Sequence, residues 1–485
     1  MDAINPQSAG NSQSTGKGGG SGATRRIATH LARLSYGALP AGLVELTKQC
    51  VLDAVGVAVG ASSLAPEARL VADYVRAMDG RQESTILGFG GRAPAPWAAF
   101  VNGSLGHMLD YDDVAPGGHP SITTVLCGLA AAEKYGPISG EDFIAAVAGG
   151  MDLQTRIAQS ITLDDWTITE GWFATQLLGY LSGAATVGRL LRLDAEQMEN
   201  ALGIGFNQMS GSRQMAVGEA THMRSMQAGF SGQGGVMAAE LAQRGIVGSK
   251  EVLEGRYGVY RTYVRGEPAW SRLLDGLGEV FPLVGTHGFK VWPACGYTRA
   301  TNAAVLNLRQ GRRLDPAQVE AITVIGGSGG TKLLSEPIEL KRRPKLSIDG
   351  KYSIPFTTAV MMLKGTVTLA DYTDAGLSDP DVLAMADRIS WRARADGDLR
   401  GLGDGLPLPT IEIQMKDGTI HENTPDGVPG DPSYPVGWPE LEAKFRDCIS
   451  FSATPIDGDR IAQAITLVRD LEHASDVAEL VRLLS

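Results

Sequence analysis

The sequence predicts a mainly α protein: a large all-helical domain assembled from both ends of the chain, with a smaller α+β lid inserted between them. Three observations carry this. Residues 25–243 are rich in Ala, Gly and Leu at three- and four-residue spacing, with almost no strand signal. After about Phe281, β-branched runs and turn residues enter. Past a Pro- and Gly-rich stretch at 423–437, helical spacing returns and holds to the C-terminus.

Helices are expected at residues 44–59, 96–109, 121–135, 140–161, 174–191 and 195–209, and in an Ala-rich stretch at 226–244. Gly149, Gly150, Gly179, Gly183 and Ala184 would let these helices approach closely. A helix at 297–309 opens the second region. A strand at 319–325 ends at Gly326-Gly327, and helices follow at 354–363 and 380–389. Ile411, Ile413 and Met415 alternate along a strand at 410–415, and Lys416-Asp417-Gly418 turns the chain into a return strand at 419–422. Helices at 441–448, 457–471 and 474–484 are expected to pack back on the first bundle. The expected organisation is a disordered tail at 1–24, a helical domain at 25–280 plus 430–485, and a lid at 281–429. Clefts between two such domains are favoured ligand sites.

Composition bounds the function. The 485 residues, 43% hydrophobic and 20% charged, are those of a globular protein with room for two or three domains. A net charge of −11 argues against nucleic acid or an anionic membrane as partner, but not against an anionic substrate in a locally basic pocket. Cys50, Cys127, Cys295 and Cys448 form no CxxC, which disfavours a zinc finger or disulfide framework and fits a reducing cytoplasm. The polar first 23 residues do not read as a signal peptide, and no run of about 18 uncharged apolar residues occurs. No phosphate-binding loop, dinucleotide fingerprint or HExxH is present, so nucleotide or zinc chemistry is unsupported.

Two segments carry most of the chemistry. The first is Gly106-His107-Met108-Leu109-Asp110-Tyr111-Asp112-Asp113, closed by His119-Pro120-Ser121. Three carboxylates at a helix C-terminus repel one another and the helix dipole. Such a block is either solvated or required by a site, where an Asp can orient a base and His119 can move a proton. Those four residues alone, Asp110, Asp112, Asp113 and His119, support a metal site only weakly. The second segment, 285–299, gathers Lys290, Cys295, Tyr297 and Arg299 around a Pro and Gly turn at the expected domain junction. Lys290 and Arg299 suit carboxylates, Tyr297 suits hydrogen-bond or proton donation, and Cys295 reads more simply as packing than as a nucleophile. Three further places are Arg224 ahead of the Ala-rich helix, Phe173 in Gly171-Trp172-Phe173-Ala174-Thr175, and the helix entry Lys351-Tyr352-Ser353-Ile354-Pro355-Phe356. Each also has a plain reading, as a surface cation, a helix cap and a first-turn proline.

Taken in order, with Leu441-Glu442-Ala443-Lys444-Phe445-Arg446 near the end, these segments resemble the MmgE/PrpD family over nearly the whole chain. That family includes 2-methylcitrate dehydratase, cis-aconitate decarboxylase and iminodisuccinate epimerase. The resemblance implies a helical domain with an α+β lid, a homodimer, no metal or organic cofactor, and a site between the domains. It implies a lyase, of dehydratase or decarboxylase type, that abstracts a proton beside a carboxylate of a small di- or tricarboxylic acid. The alternatives are an epimerase or isomerase of a small dicarboxylate such as iminodisuccinate, and a catalytically silent binding protein. Asp110, His119, Lys290 and Tyr297 are the expected catalytic residues, with Asp110 orienting His119. Arg224, Arg299, Asp113, Cys295, Phe173 and Phe356 are expected to bind substrate. Three positions depart: Phe173 stands where similar decarboxylases and dehydratases carry His, Arg224 stands where they carry Lys, and Cys295 stands where the decarboxylase carries His, although Cys is common there in other branches of the family. Phe cannot exchange a proton, and Arg is a poor proton donor.

Overall fold

The computed structural model describes residues 20–161, 171–216, 221–264, 266–312, 314–327, 330–394 and 408–485. Nine helices build the bundle among the described residues: α1 Ala23–Arg33, α2 Ala41–Leu64, α3 Pro66–Arg76, α4 Ala95–Met108, α5 Pro120–Tyr135, α6 Gly140–Ser160, α7 Ala174–Leu190, α8 Ala195–Phe206 and α9 Gln227–Gln243. Their ends follow local chemistry. Ser139 caps α6 through the Asp142 N–H, and Asp194 forms a capping box with Gln197 on α8. Helix α9 wedges between α4 and α7. Glycine permits both crossings, because a Cβ at Gly103 would lie 2.7 Å from the Ala228 carbonyl oxygen, and one at Gly235 would lie 2.6 Å from the Gly183 carbonyl carbon.

Two short ladders interrupt the helices: β1 Ser84–Thr85 with β2 Arg92–Ala93, and β3 Asp113–Val114 with β4 Gly288–Phe289. The second joins residues far apart in sequence and, as shown below, positions the site.

The lid has its own core. It comprises α10 Gly296–Arg312, β5 Val319–Gly326, α11 Ile354–Lys364, α12 Pro380–Ala386, β6 Ile389–Ala393, β7 Thr410–Met415 and β8 Ile420–Asn423. The sheet order is β6-β5-β7-β8, with β6 parallel to β5 and the other pairs antiparallel. The register sets Ile322 against Ile413 and Val324 against Ile411, and these four side chains meet Val305, Phe356 and Val360 from α10 and α11. This core begins at Trp292, whereas Phe281, Leu283 and Phe289 belong to the bundle core. Three last helices, α13 Trp438–Ser450, α14 Gly458–Arg469 and α15 Ala478–Leu483, return to pack on α2 and α5.

The differences from expectation are local. The helix expected at 380–389 stops at Ala386, and Ile389 begins a strand, because its main chain continues the sheet beside β5. Residues 20–24 are not a tail: α1 starts at Ala23, and Thr24 is buried against Glu254. The remainder of the expected tail, 1–19, lies outside the described residues. Helix α3 was not expected, although Pro66 at its first position is a start signal. No single helix among the described residues is long and apolar enough to cross a membrane.

The α7–α9 crossing gives a test. Gly235→Ala places its methyl group against main chain that cannot rotate away, so the variant is expected to lose about 1–3 kcal/mol in urea unfolding. An unchanged midpoint would mean the two helices do not cross this closely.

Candidate functional site

Helix α4 ends at Met108 and the chain reverses through Leu109 and Asp110. Asp110 has φ 48°, the left-handed region that a non-glycine residue occupies only when its surroundings demand it. The three carboxylates are not solvated: Asp110, Asp112 and Asp113 are all buried. The β3–β4 ladder pairs Asp113 with Phe289 in antiparallel register, so the next position sets Lys290 opposite Asp112. Lys290 Nζ donates to Asp110 and, at 3.2 Å, to Asp112 Oδ1.

Asp112 is the hub. Its Oδ2 lies 3.0 Å from Nδ1 of His107 and 3.0 Å from Nδ1 of His119. The carboxylate that touches His119 is therefore Asp112 and not the expected Asp110, which is engaged by Lys290. His119 Nδ1 also lies 2.5 Å from the Asp113 carbonyl oxygen, which can only accept, so Nδ1 carries the proton and Nε2 is left basic. Thr175, in the first turn of α7, accepts the His119 main-chain N–H at 3.2 Å. Of the two imidazoles, His107 is 1% exposed at its side chain and His119 20%, so His119 is the one a substrate can reach.

The charges sort themselves by environment. Burial opposes ionisation of Asp112, but His107, His119 and Lys290 override it and hold its carboxyl well below the ordinary range. Burial opposes Asp110 likewise, and Lys290 with His107 pulls it down. Burial works against the Lys290 ammonium, yet Asp110 and Asp112 raise its pKa above the usual lysine value. Burial, aided by Lys290 and His107, lowers His119 to about 4 against the pull of Asp112. At neutral pH the site thus holds two carboxylates, a fixed ammonium and a neutral imidazole.

Arg224 borders this cluster and is electrostatically coupled to Asp110. Its guanidinium stacks 3.3 Å from the Tyr352 ring centroid and 5.1 Å from that of Phe173. It forms no ion pair among the described residues, and its Nε is buried without a hydrogen-bond partner. Tyr297, in the first turn of α10, is half-buried and feels Arg213 and Arg224. Cys295 is buried, its thiol pushed up by burial, and its N–H donates to the Lys351 carbonyl at 3.0 Å.

The structure thus brings Asp110, His119, Lys290, Tyr297, Arg224, Phe173 and Cys295 into one neighbourhood. Three expected substrate ligands lie elsewhere. Arg299 is spent on Asp431 at 2.6 Å and the Pro429 carbonyl at 2.9 Å. Phe356 is fully buried in the lid core against Tyr372. Asp113 stands behind the site, accepting the Ser121 N–H at 3.1 Å and facing His287 Nε2 at 3.2 Å; burial and the Asp112 charge push it up to about 8. Sequence reasoning did not select His107, Asp112, Tyr352 or Lys351. All four lay within segments it singled out, but nothing in residue type separates Asp112 from its two neighbours.

Among the described residues two donor groups are compact enough to hold a cation: His107, Asp112 and His119, and Cys50, Asp113 and His287. In the first, the His119 nitrogen nearest the shared carboxylate is the one that carries the proton toward the Asp113 carbonyl, and the Lys290 ammonium lies 3.2 Å from the other carboxylate oxygen, so the group reads as a hydrogen-bonded cluster. In the second, burial pushes up both the Cys50 thiol and the Asp113 carboxyl, which opposes the deprotonation a metal ligand needs.

Lys290→Met leaves two buried carboxylates without their cation and is expected to cost about 3–5 kcal/mol. In the wild type both are held below their ordinary range, so their stabilising contribution is present above about pH 4 and fades below it. The gap between wild type and variant should therefore be widest at neutral pH and shrink on acidification. A gap independent of pH would refute this pairing.

Comparison with known proteins agrees with this architecture. The MmgE/PrpD N-terminal domain matches residues 25–271 and the MmgE/PrpD C-terminal domain matches residues 292–470. Human cis-aconitate decarboxylase is 25% identical over 479 residues, 95% of this chain and 94% of its own length. The Aspergillus terreus cis-aconitate decarboxylase is 26% identical, covering 98% of each. The 2-methylcitrate dehydratase of Cupriavidus necator is 23% identical over 71% of this chain and 72% of its own. With both domains matched in order across most of its length, the chain belongs to the MmgE/PrpD family.

Proposed function

We propose that this protein is a lyase for a small di- or tricarboxylic acid that uses its own side chains to break a bond next to a carboxylate. The observation that carries this is Arg224: a guanidinium without a carboxylate partner among the described residues, stacked on Tyr352 and Phe173 and facing the same acidic turn that holds His119. A planar fork with free donors is matched by a carboxylate. Its relatives named for cis-aconitate and 2-methylcitrate act on acids of this class.

In this reading a substrate carboxylate binds Arg224 and the adjacent C–H is presented to His119 Nε2. His119 removes the proton while Asp112 and the Asp113 carbonyl steady the imidazolium that forms. Lys290 and Arg224 supply fixed positive charge for the enolate-like carbanion, which in water would be too unstable to accumulate. Expulsion of a β-hydroxyl completes a dehydration. A decarboxylation reaches the same carbanion by loss of carbon dioxide. Phe173 favours a second reading, epimerisation of a dicarboxylate, because a residue that cannot carry a proton stands where the family's lyases have His. In that reading the carbanion is reprotonated on its other face from the lid.

Proton NMR in deuterated water with 2-methylcitrate, citrate, cis-aconitate and iminodisuccinate separates these outcomes. New vinyl signals or carbon dioxide release indicate a lyase, and exchange at the α-carbon without net product indicates an epimerase. His119→Ala is expected to lower the rate by roughly 10²–10⁴. If no acid exchanges or turns over, the enzymatic reading fails and a binding protein remains.

The base also predicts a pH profile. His119 must be neutral, and its lowered pKa keeps it so down to about 4. The acid limb of kcat/KM should therefore fall near 4; a limb near the ordinary histidine value of about 6.5 would assign the base elsewhere.

A further inference from the structure

The reading above has a base but leaves open which group delivers the second proton. Three side chains are placed to do so on the lid side, and their surroundings differ. Lys290 is neutralised by two carboxylates that raise its pKa, so it holds its proton. Burial raises Tyr297, which is then a weak acid at neutral pH. Lys351 is different.

Lys351 is 1% exposed, and its Nζ donates at 3.1 Å to the carbonyl of Met108, the last residue of α4 and two positions before Asp110. No carboxylate lies within ion-pair distance of it among the described residues. The groups around it come from every neighbouring element: Asp110 from the loop after α4, Glu67 from α3, Lys290 from the end of β4, and the Tyr372 ring of the lid at 5.5 Å. Burial and Lys290 disfavour its charge; Asp110 and Glu67 favour it. The balance lowers its pKa to about 8, within reach of both protonation states near neutrality. Its main chain is tied to the site twice. Its carbonyl accepts the Cys295 N–H, and the next residue, Tyr352, lies under the Arg224 guanidinium.

Resting on the functional reading above, we propose that Lys351 is the second proton carrier of the site, its ammonium delivering a proton to the substrate once the C–H bond, or in a decarboxylation the C–C bond, has opened. In a dehydration the C–O bond breaks as an N–H proton passes to the departing oxygen, so water leaves and a neutral amine remains. In an epimerisation the same N–H proton goes to the opposite face of the carbanion carbon. In a decarboxylation the C–C bond breaks to release carbon dioxide, His119 takes no proton, and the N–H proton goes to the carbon that lost the carboxylate. The proton taken by His119 is lost to solvent and Lys351 is recharged from solvent, which restores both groups.

Two measurements test this. The first needs no substrate: NMR titration of protein labelled at lysine Cε, with Lys351→Met to assign the signal. A Lys351 resonance titrating near 8 is expected, and one titrating above 10 overturns the proposal. The second uses whichever acid the deuterium experiment identifies. Lys351→Met should keep α-proton exchange within a few-fold, since His119 is intact, while product formation falls roughly 10²–10⁴ and the basic limb near pH 8 disappears. Lys351→Arg, which keeps the charge and the bond to Met108, should be equally slow because Arg does not release its proton. Equal loss of exchange and product in both variants would make Lys351 a structural residue, and a fast Lys351→Arg enzyme would also overturn the proposal. If wild-type protein exchanges no acid at all, the functional reading falls first and this proposal with it, whatever Lys351 titrates at. Titration above 10 with exchange intact sinks Lys351 alone.

Discussion

Everything at the centre of this protein depends on keeping a five-residue acidic turn buried. Asp110 and Asp112 are ionised, out of water, and at the wrong end of α4 for a negative charge. Three buried lysines make that tolerable. Lys351 takes the Met108 carbonyl, Lys290 takes Asp110 and Asp112, and Lys444 of α13 takes the Tyr111 carbonyl and, at 2.6 Å, Asp53 of α2. Lys444 also donates at 3.0 Å to the Lys290 carbonyl, which ties two of the three together. The turn comes from the N-terminal half of the chain, and each lysine comes from the C-terminal half. The site therefore exists only when lid, bundle and C-terminal helices have all folded against one another.

That arrangement separates jobs that one residue could not combine. In the proposed mechanism a group that stabilises negative charge must stay charged, and Lys290 is held charged by its two partners. A base must be neutral at rest, and burial favours the neutral form of His119. Asp112 faces both, accepting from the ammonium on one oxygen and from the imidazoles on the other. Asp110 adopts a strained backbone to reach Lys290, which is why the turn cannot be a simple helix cap.

Arg224 shows the same logic with a different partner set. Aromatic faces hold a cation without consuming its hydrogen-bond donors. The guanidinium stacked on Phe173 and Tyr352 is thus positioned with no carboxylate partner among the described residues, whereas Arg299, only a few residues from Tyr297 in sequence, is spent on Asp431. Two arginines with equal claims from sequence differ entirely in what they can still bind.

The sequence by itself determined most of the long helices, because the spacing that buries one face of a helix is local, but it did not give α1 or α3. It signalled a change of character after about Phe281, while the separate lid core begins only at Trp292, and it pointed to the two segments that meet at the buried cluster. It lost the end of α12, where a strand partner far along the chain captured Ile389. It did not say which of three aspartates faces His119, or that Asp113 is turned away toward His287. Those choices belong to the β3–β4 ladder, which sets residue 112 opposite residue 290, and to a left-handed turn at Asp110. Register between distant segments is fixed by the packing of the whole chain, and a shift of one residue would aim every side chain at the opposite face.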